Sequence, residues 1–545
     1  MNTGRLFIAS LVVITTLILS LDNSFLPRVE EIDSKSFSAQ RVKADIKVIS
    51  KEPHSIDHPF EREIVRNYLS DRLAEIGMDV TCYRYDSIQD RFKRSIDIAN
   101  LYAVSEPVNR SAGSYVMLIA HIDSRFKSMV NGREEYSFGA ADDGYGLGVI
   151  LEVVNNAQKY RDKWIQGIKV LFTDSEESNL EGIKNAIKHD SLIFNNVGFI
   201  INIEARGVKG AAILFETSAG NRNIIDLYKR ARYPYAYSLT TAIYRILPNN
   251  TDFTIVKDRF PGMNFAVIDN LNYYHTKLDN FENISLKSIQ HYGDQIEPIV
   301  EEYLINPKYS QSDYLKSDKD LVFFSLPYLG LITLTPNIYL ILKLIAFILL
   351  LFSLLINIKL KKFSSGDLIK ISLILVGFIL LCSFVGYSIS RLAATLNDME
   401  FRFQYLPYIK SEYPIIAAFL LFIFFIFLLL YRRITINMRL SANAILTCGS
   451  LLLIILSTLM FYYTGDSALF FVPVLISLPA LFTSRFKDLR FLNIIFIVLI
   501  IMFITPLMYS LIVALTIGSL ILFSAIFIMF LWILAPIADS FLRDV

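Results

Sequence analysis

The sequence holds little cysteine. Three cysteines occur in 545 residues, and two of them, Cys382 and Cys448, sit inside apolar runs. Only Cys82 lies in the polar part, so that part carries no internal disulfide and no redox framework. Neither sign of charge prevails. The net charge of +2 leaves no electrostatic footprint for a nucleic-acid partner. Internal repeats and low-complexity tracts are also missing. What abounds is apolar: 53% of residues are hydrophobic and the mean hydropathy is +0.44. That is too apolar for one soluble enzyme, while the first half is too charged for a pure membrane protein. Two unlike parts are therefore expected.

Arg5 precedes an apolar stretch over 6–21 with no clear cleavage signal behind it. It reads as an uncleaved anchor over 1–24, a cleaved signal peptide being the alternative. Residues 30–308 read as an alternating α/β domain. Helical spacing of Ile64, Val65, Tyr68, Leu69, Leu73 and Ile76 ends at Gly77. Short apolar runs then recur at 115–120, 168–173, 197–203, 211–215 and 263–268, separated by helix-like segments such as 145–160 and 179–188. Such runs suit buried strands of a mostly parallel sheet, sandwiched by helices.

A polar-then-amphipathic connector is expected over 309–336, and an α-helical multi-pass transmembrane domain over 337–536. Seven apolar spans are expected there, at 337–358, 367–388, 413–431, 441–463, 466–483, 491–508 and 511–535. Lys343 and Lys370, near span ends, are expected to snorkel. Basic clusters fill every second loop: Lys359, Lys361 and Lys362, then Arg432, Arg433 and Arg439, then Arg485, Lys487 and Arg490. The positive-inside rule puts those loops and the C-terminus in the cytoplasm. The 30–308 domain then faces outward, and Arg5 on the inner side of the first segment agrees. Membrane lipid is thus an expected partner, and oligomeric state is left open.

Five groups at or after strand ends carry the chemistry, on the sheet edge where open α/β sheets bind ligands. His121 and Asp123 follow the run at 115–120, an imidazole suited to zinc with a carboxylate placed to orient it. Asp142 and Asp143 lie in a small-residue loop that opens a helix, where one of them could equally be an N-cap. Glu176 and Glu177 follow the run at 168–173. Adjacent carboxylates in extended chain point apart, so one can hold a metal while the other serves an attacking water as general base. Glu204 and His275 end the set. Each alone has an ordinary structural reading. Together they form an N/O-rich set suited to two zinc ions sharing a bridging carboxylate.

The ordered motifs H-x-D, G-A-x-D-D, E-E after a strand, N-x-E-A and Y-H-T-x-x-D resemble the co-catalytic zinc exopeptidases of the aminopeptidase Y and glutamate carboxypeptidase kind. The likeness covers about 53–303. The surrounding apolar segments narrow it to the endoplasmic reticulum metallopeptidase and vacuolar membrane protease group and its bacterial relatives. The resemblance implies a peptide substrate, cleaved as by an aminopeptidase. It implies that His121 and Glu204 hold one zinc and Glu177 and His275 the other. Asp142 would bridge them, with Glu176 the general base and Asp123 behind the ligands. Tyr145 departs from the family's small residue there and is expected to narrow the site. His54 and His58 are expected to pack rather than ligate. The loop at 248–253 resembles a segment near the substrate pocket, with Asp252 its polar candidate. Two other readings stand beside this one. His121–Phe126 also looks like a single-zinc glutaminyl-cyclase-like aminoacyltransferase, and a non-catalytic scaffold would keep the fold but lack one or more ligands.

Overall fold

The computed structural model describes residues 3–21, 26–108, 113–130, 133–244, 249–360, 364–401, 403, 406, 408–438 and 440–542. Lys361, Lys362 and Arg439, and position 248 of the expected pocket loop, lie outside the described residues. The chain forms two compact units. One comprises Phe25–Ser325 and Gly330–Thr333, the other Met1–Ser24, Leu326–Leu329 and Leu334–Val545.

The first unit is built on a seven-stranded sheet. Its strands are β1 (Asp79–Gln89), β2 (Ser95–Ser105), β3 (Tyr115–His121), β4 (Gly167–Thr173), β5 (Val197–Ala205), β6 (Ile213–Thr217) and β7 (Gly262–Val267). The order across the sheet is β1-β2-β4-β3-β5-β7-β6. The central four strands are parallel, and β1, β2 and β6 join through antiparallel pairings. The sheet is therefore mixed, with a parallel centre. In the antiparallel β1–β2 hairpin, β1 has no apolar run to announce it, because it is exposed along most of its length.

Alternation along the strands splits the core in two. Val116, Leu118 and Ala120 of β3 join a large cluster with Phe199, Ile201 and Ile203 of β5. That cluster is covered by the helices Ala39–Ile49, Pro59–Glu75, Gly144–Gln158 and Leu286–Ile305. Met117 and Ile119 point the other way, into a smaller cluster with Ile183, Phe253 and Val256. Helices thus lie on both faces of the central strands, while the edge strand β1 stays mostly exposed. Tyr309, Leu315, Leu321 and Phe323, from the stretch after residue 308, also pack into the larger cluster.

One buried ion pair fixes the start of the loop after β4. Asp174 is fully buried; its Oδ2 accepts from Arg66 at 2.6 Å and from the Ala99 amide at 2.8 Å. Arg62 lies 3.4 Å from its Oδ1. Glu176 and Glu177 follow two and three residues later.

In the second unit, among the described residues, seven helices are long and apolar enough to cross a membrane. They are Gly4–Leu21, Pro336–Lys359, Gly366–Leu396, Glu412–Asn437, Ala442–Thr464, Lys487–Leu515 and Ile517–Leu542. The expected span at 466–483 appears as a shorter apolar helix, Ala468–Thr483, with Pro473 and Pro479 inside it. Lys343 does not snorkel. Its buried ammonium donates to the Ser457 carbonyl at 3.0 Å and to Ser467 Oγ at 2.7 Å, beside the rings of Tyr339 and Phe461.

Removing Asp174 would leave buried Arg62 without its counter-charge and Arg66 with Glu63 alone, so Asp174→Ala should cost about 3–5 kcal/mol of stability. Denaturant unfolding of the full chain, read by protease resistance of the first unit, checks this. A loss under about 1 kcal/mol would contradict the pair's role.

Candidate metal centre

The four parallel strands end on one edge, and the expected residues gather there. His121 is the last residue of β3, and Glu204 is the penultimate residue of β5. Glu176 and Glu177 lie in the loop after β4, where Ser175, Asn179 and Leu180 have positive φ. His275 lies in the loop after β7, also at positive φ, with the Tyr274 ring stacked on it at 3.6 Å. Asp142 closes the loop ahead of the Gly144–Gln158 helix. All are largely buried except His275, which is about one-fifth exposed.

Asp142 faces two groups at once. Its Oδ1 lies 3.2 Å from His121 Nε2, which is 3.7 Å from Glu204 Oε2. Its Oδ2 lies 3.3 Å from His275 Nε2, which is 2.8 Å from Glu177 Oε1. Asp142, Glu177 and His275 bring one ligand atom each within 4.8 Å of one another, and so do His121, Asp143 and Glu204. Asp143 is the less available acid of the pair. Its two oxygens accept the Gly146 amide at 3.0 Å and the His121 amide at 3.2 Å, so it caps the helix. Gly146 permits this, because a Cβ there would sit 2.4 Å from the Asp143 carboxylate.

These residues fit a pair of cations. Among the described residues, Asp142 Oδ2, Glu177 Oε1 and His275 Nε2 are buried and make no hydrogen bond, although His275 Nε2 lies 3.3 Å from the first and 2.8 Å from the second. His121 Nδ1 lies 2.9 Å from the Asp123 carbonyl, which can only accept, so the ring proton belongs on Nδ1. In the neutral ring that a metal would bind, the Nε2 lone pair would then face the carboxylates of Asp142 and Glu204. Lone pairs converging in a buried site are unfavourable without a positive charge between them.

The titration behaviour reports the same excess of acid. Burial raises the Glu176 carboxyl well above the usual carboxylate range, and the neighbouring Glu204 charge adds to this. Burial, against the pull of His121, pushes Glu204 up to about 8. Burial would also raise Glu177, but His275 and Arg125 overcome it and hold that carboxyl well below its usual range. Burial disfavours a charged His121 ring, yet Asp123, Asp142 and Glu176 together raise its pKa well above the ordinary value.

Several side chains hold the centre in place. The carboxylate of Asp123 is not the ring's main partner, being 3.7 Å from Nδ1. It instead accepts the backbone amides of Glu176 at 2.9 Å and Glu177 at 3.3 Å, tying the β3 loop to the β4 loop. Asp279 accepts the amides of Ala141 at 2.7 Å and Asp142 at 3.3 Å. Asn202 donates to Glu204 Oε1 at 3.0 Å and to Asn264 Oδ1 at 3.0 Å. Asn264 in turn reaches Glu216 at 3.3 Å, and Glu216 accepts from Lys257 at 2.6 Å. Asp279 and Asn202 stand in motifs visible in the sequence, and Arg125 lies in the His121–Phe126 stretch, although the sequence assigns no role to Asn202 or Arg125 there; nothing local marks Asn264.

Tyr145 does not narrow the site. It is wholly buried, donates to the Val208 carbonyl at 2.7 Å and accepts the Ser285 amide at 2.7 Å. One helical step carries it from the loop into the core, so its bulk is absorbed there. His54 packs as expected: it is buried, its pKa is lowered to about 4 by burial, and Nδ1 meets the Glu52 carbonyl at 3.0 Å. His58 sits edge-on to Tyr136. Asp252 is buried near the centre and accepts from Thr173 Oγ1, while its Oδ1 has no partner.

Asn202→Ala should free Glu204 to rotate and weaken zinc binding through Glu204 about 10–100-fold. Calorimetric zinc titration of the stripped chain measures this. Unchanged zinc affinity would remove Asn202 from the support of the centre.

Residues 100–300 match the sequence model of Peptidase family M28. The chain is similar to the Vacuolar membrane protease of Candida dubliniensis, 28% identical over 307 residues, covering 53% of this chain and 31% of the relative. It is also similar to Endoplasmic reticulum metallopeptidase 1 of Rattus norvegicus, 30% identical over 248 residues, covering 44% of this chain and 26% of the relative. The matched stretch thus spans less than a third of either relative's length. Among solved structures, the glutaminyl cyclase of Porphyromonas gingivalis matches with 18% identity and a TM-score of 0.41, covering 50% of this chain and 100% of that one.

Proposed function

We propose, for a chain whose residues 100–300 match the model of Peptidase family M28, a membrane-bound di-zinc peptidase that removes residues from peptide N-termini. The observation that carries this reading is the placing of Asp142, with one oxygen toward His121 and Glu204 and the other toward His275 and Glu177. His121 and Glu204 would hold one zinc, Glu177 and His275 the other, and Asp142 both. Zinc held there supplies Lewis acidity: it polarises a peptide carbonyl and makes water a better nucleophile.

The chain's own groups do the rest. Glu176 is buried next to Glu177, and among the described residues its carboxylate has no hydrogen-bond partner that would fix it as a ligand support. It accepts the proton of the attacking water and passes it to the departing amine. Asp123 fixes the backbone of Glu176 and Glu177, and so sets where that carboxylate stands. Asp279 fixes the backbone of Asp142. The complete second triad favours two ions over the single zinc of a cyclase-like enzyme. A non-catalytic scaffold is disfavoured because none of the ligand set, nor the neighbouring Glu176, is missing.

For the membrane, we infer that the first unit faces away from the cytoplasm and the C-terminus faces into it. With Ala468–Thr483 counted as a crossing, Lys359 at the end of Pro336–Lys359, Arg432 and Arg433 near the end of Glu412–Asn437, and Arg485, Lys487 and Arg490 between Thr483 and the last two spans mark the same side at every second helix, which supports that orientation.

Glu176→Gln should lower kcat for peptide hydrolysis about 100-fold or more while zinc content stays unchanged. Assay of a mixed peptide library with metal analysis of the same sample tests it; full activity in the variant would end the general-base assignment. For orientation, Cys82 is exposed whereas Cys382 and Cys448 are buried. A membrane-impermeant maleimide applied from the non-cytoplasmic side should label wild type and not Cys82→Ser. Labelling only after lysis would reverse the topology.

A further inference from the structure

Arg125 has no part in the ligand set, yet it touches one of its members. Its Nη1 donates to Glu177 Oε2 at 2.6 Å and reaches the Glu177 carbonyl at 3.4 Å. The other oxygen of the same carboxylate, Oε1, is the one that faces His275. Glu177 is therefore shared between a fixed cation and the second triad.

The guanidinium is held from beneath. The Phe126 ring lies 4.0 Å from it, and Phe126 is itself buried and braced edge-on by Phe92 at 5.2 Å. Arginine stays charged at any physiological pH, so this is a permanent charge in a fixed place. The first triad is built differently. The second oxygen of Glu204 meets the neutral amide of Asn202, and Asp143 adds a further carboxylate within ligand distance. One half of the centre thus carries extra negative charge, and the other half carries a positive one.

We propose that Arg125 is a positioning residue that makes the two metal sites unequal. It restricts Glu177 to a single ligand oxygen, withdraws part of that carboxylate's charge and repels a dication beside it. The site of His121 and Glu204 holds its ion tightly, and the site of Glu177 and His275 holds a weaker, exchangeable one. This rests on the di-zinc reading above. It adds that occupancy of the second site, and with it activity, follows the surrounding zinc concentration.

The test is calorimetric titration of the chelator-stripped full chain in detergent with zinc alone, alongside metal counting after desalting. Wild type should show two binding events at least tenfold apart in affinity. His275→Ala should remove only the weaker. Arg125→Gln should tighten the weaker event at least tenfold and leave the tighter one within threefold, which also shows that the variant is folded. Arg125→Lys, which keeps the charge and loses the planar fork, should keep most of the gap. Two wild-type events within threefold of each other overturn the proposal, as does an Arg125→Gln variant whose weaker event is unchanged or weaker still. No zinc uptake by wild type instead overturns the di-zinc reading itself, so the two failures are distinguishable.

Discussion

Buried negative charge is the constraint on which the first unit is organised. Asp123, Asp142, Asp143, Glu176, Glu177 and Glu204 are each under 10% exposed and crowd one edge of a sheet. Burying carboxylates costs several kcal/mol each unless charge or hydrogen bonds compensate. Backbone amides serve Asp123 and Asp143, and Arg125 serves half of Glu177. Asp142 Oδ2 and Glu177 Oε1 have no such partner. They are left facing a histidine nitrogen that also lacks one, and cations are the chemistry that relieves all three.

The scaffold explains how so costly a cluster persists. Parallel strands deliver their carboxyl ends to one edge, and helices on both faces keep water from the flanks. Each loop that carries a site residue is fastened to another. Asp123 joins the β3 loop to the β4 loop, Asp279 joins the β7 loop to the loop of Asp142, and Asp174 locks the start of the β4 loop to Arg62 and Arg66. The carboxylates are thus held apart by neighbouring backbone rather than by their own flexibility. This is why the supports are buried acids and amides at long sequence separation.

Much of this was legible in the chain, for a physical reason. His121, Glu176, Glu177 and Glu204 each stand at the end of a short apolar run, and a buried parallel strand announces both itself and its end. The strands β3, β4, β5 and β7 were visible in that way. The hairpin of β1 and β2 was not, because β1 is mostly exposed and its pattern lacks an apolar run. Asn202 lies in the N-x-E-A motif and Arg125 in the His121–Phe126 stretch, but like those of Asn264 their roles arise from contacts that only folding creates. Tyr145 misled in the opposite sense, since its position in the helix turns it into the core. In the apolar unit, length alone counted Ala468–Thr483 among the expected spans, and Lys343, expected to reach for the interface, found partners inside.

The central claim is that one carboxylate, Asp142, stands between two metal ions. Crystals of the zinc-loaded chain, measured at the zinc absorption edge, address it directly. The account predicts two anomalous peaks about 3.5–4 Å apart, with Asp142 touching both, His121 and Glu204 on one, and His275 and Glu177 on the other. A single peak at full zinc loading, or two peaks that Asp142 does not join, would contradict it.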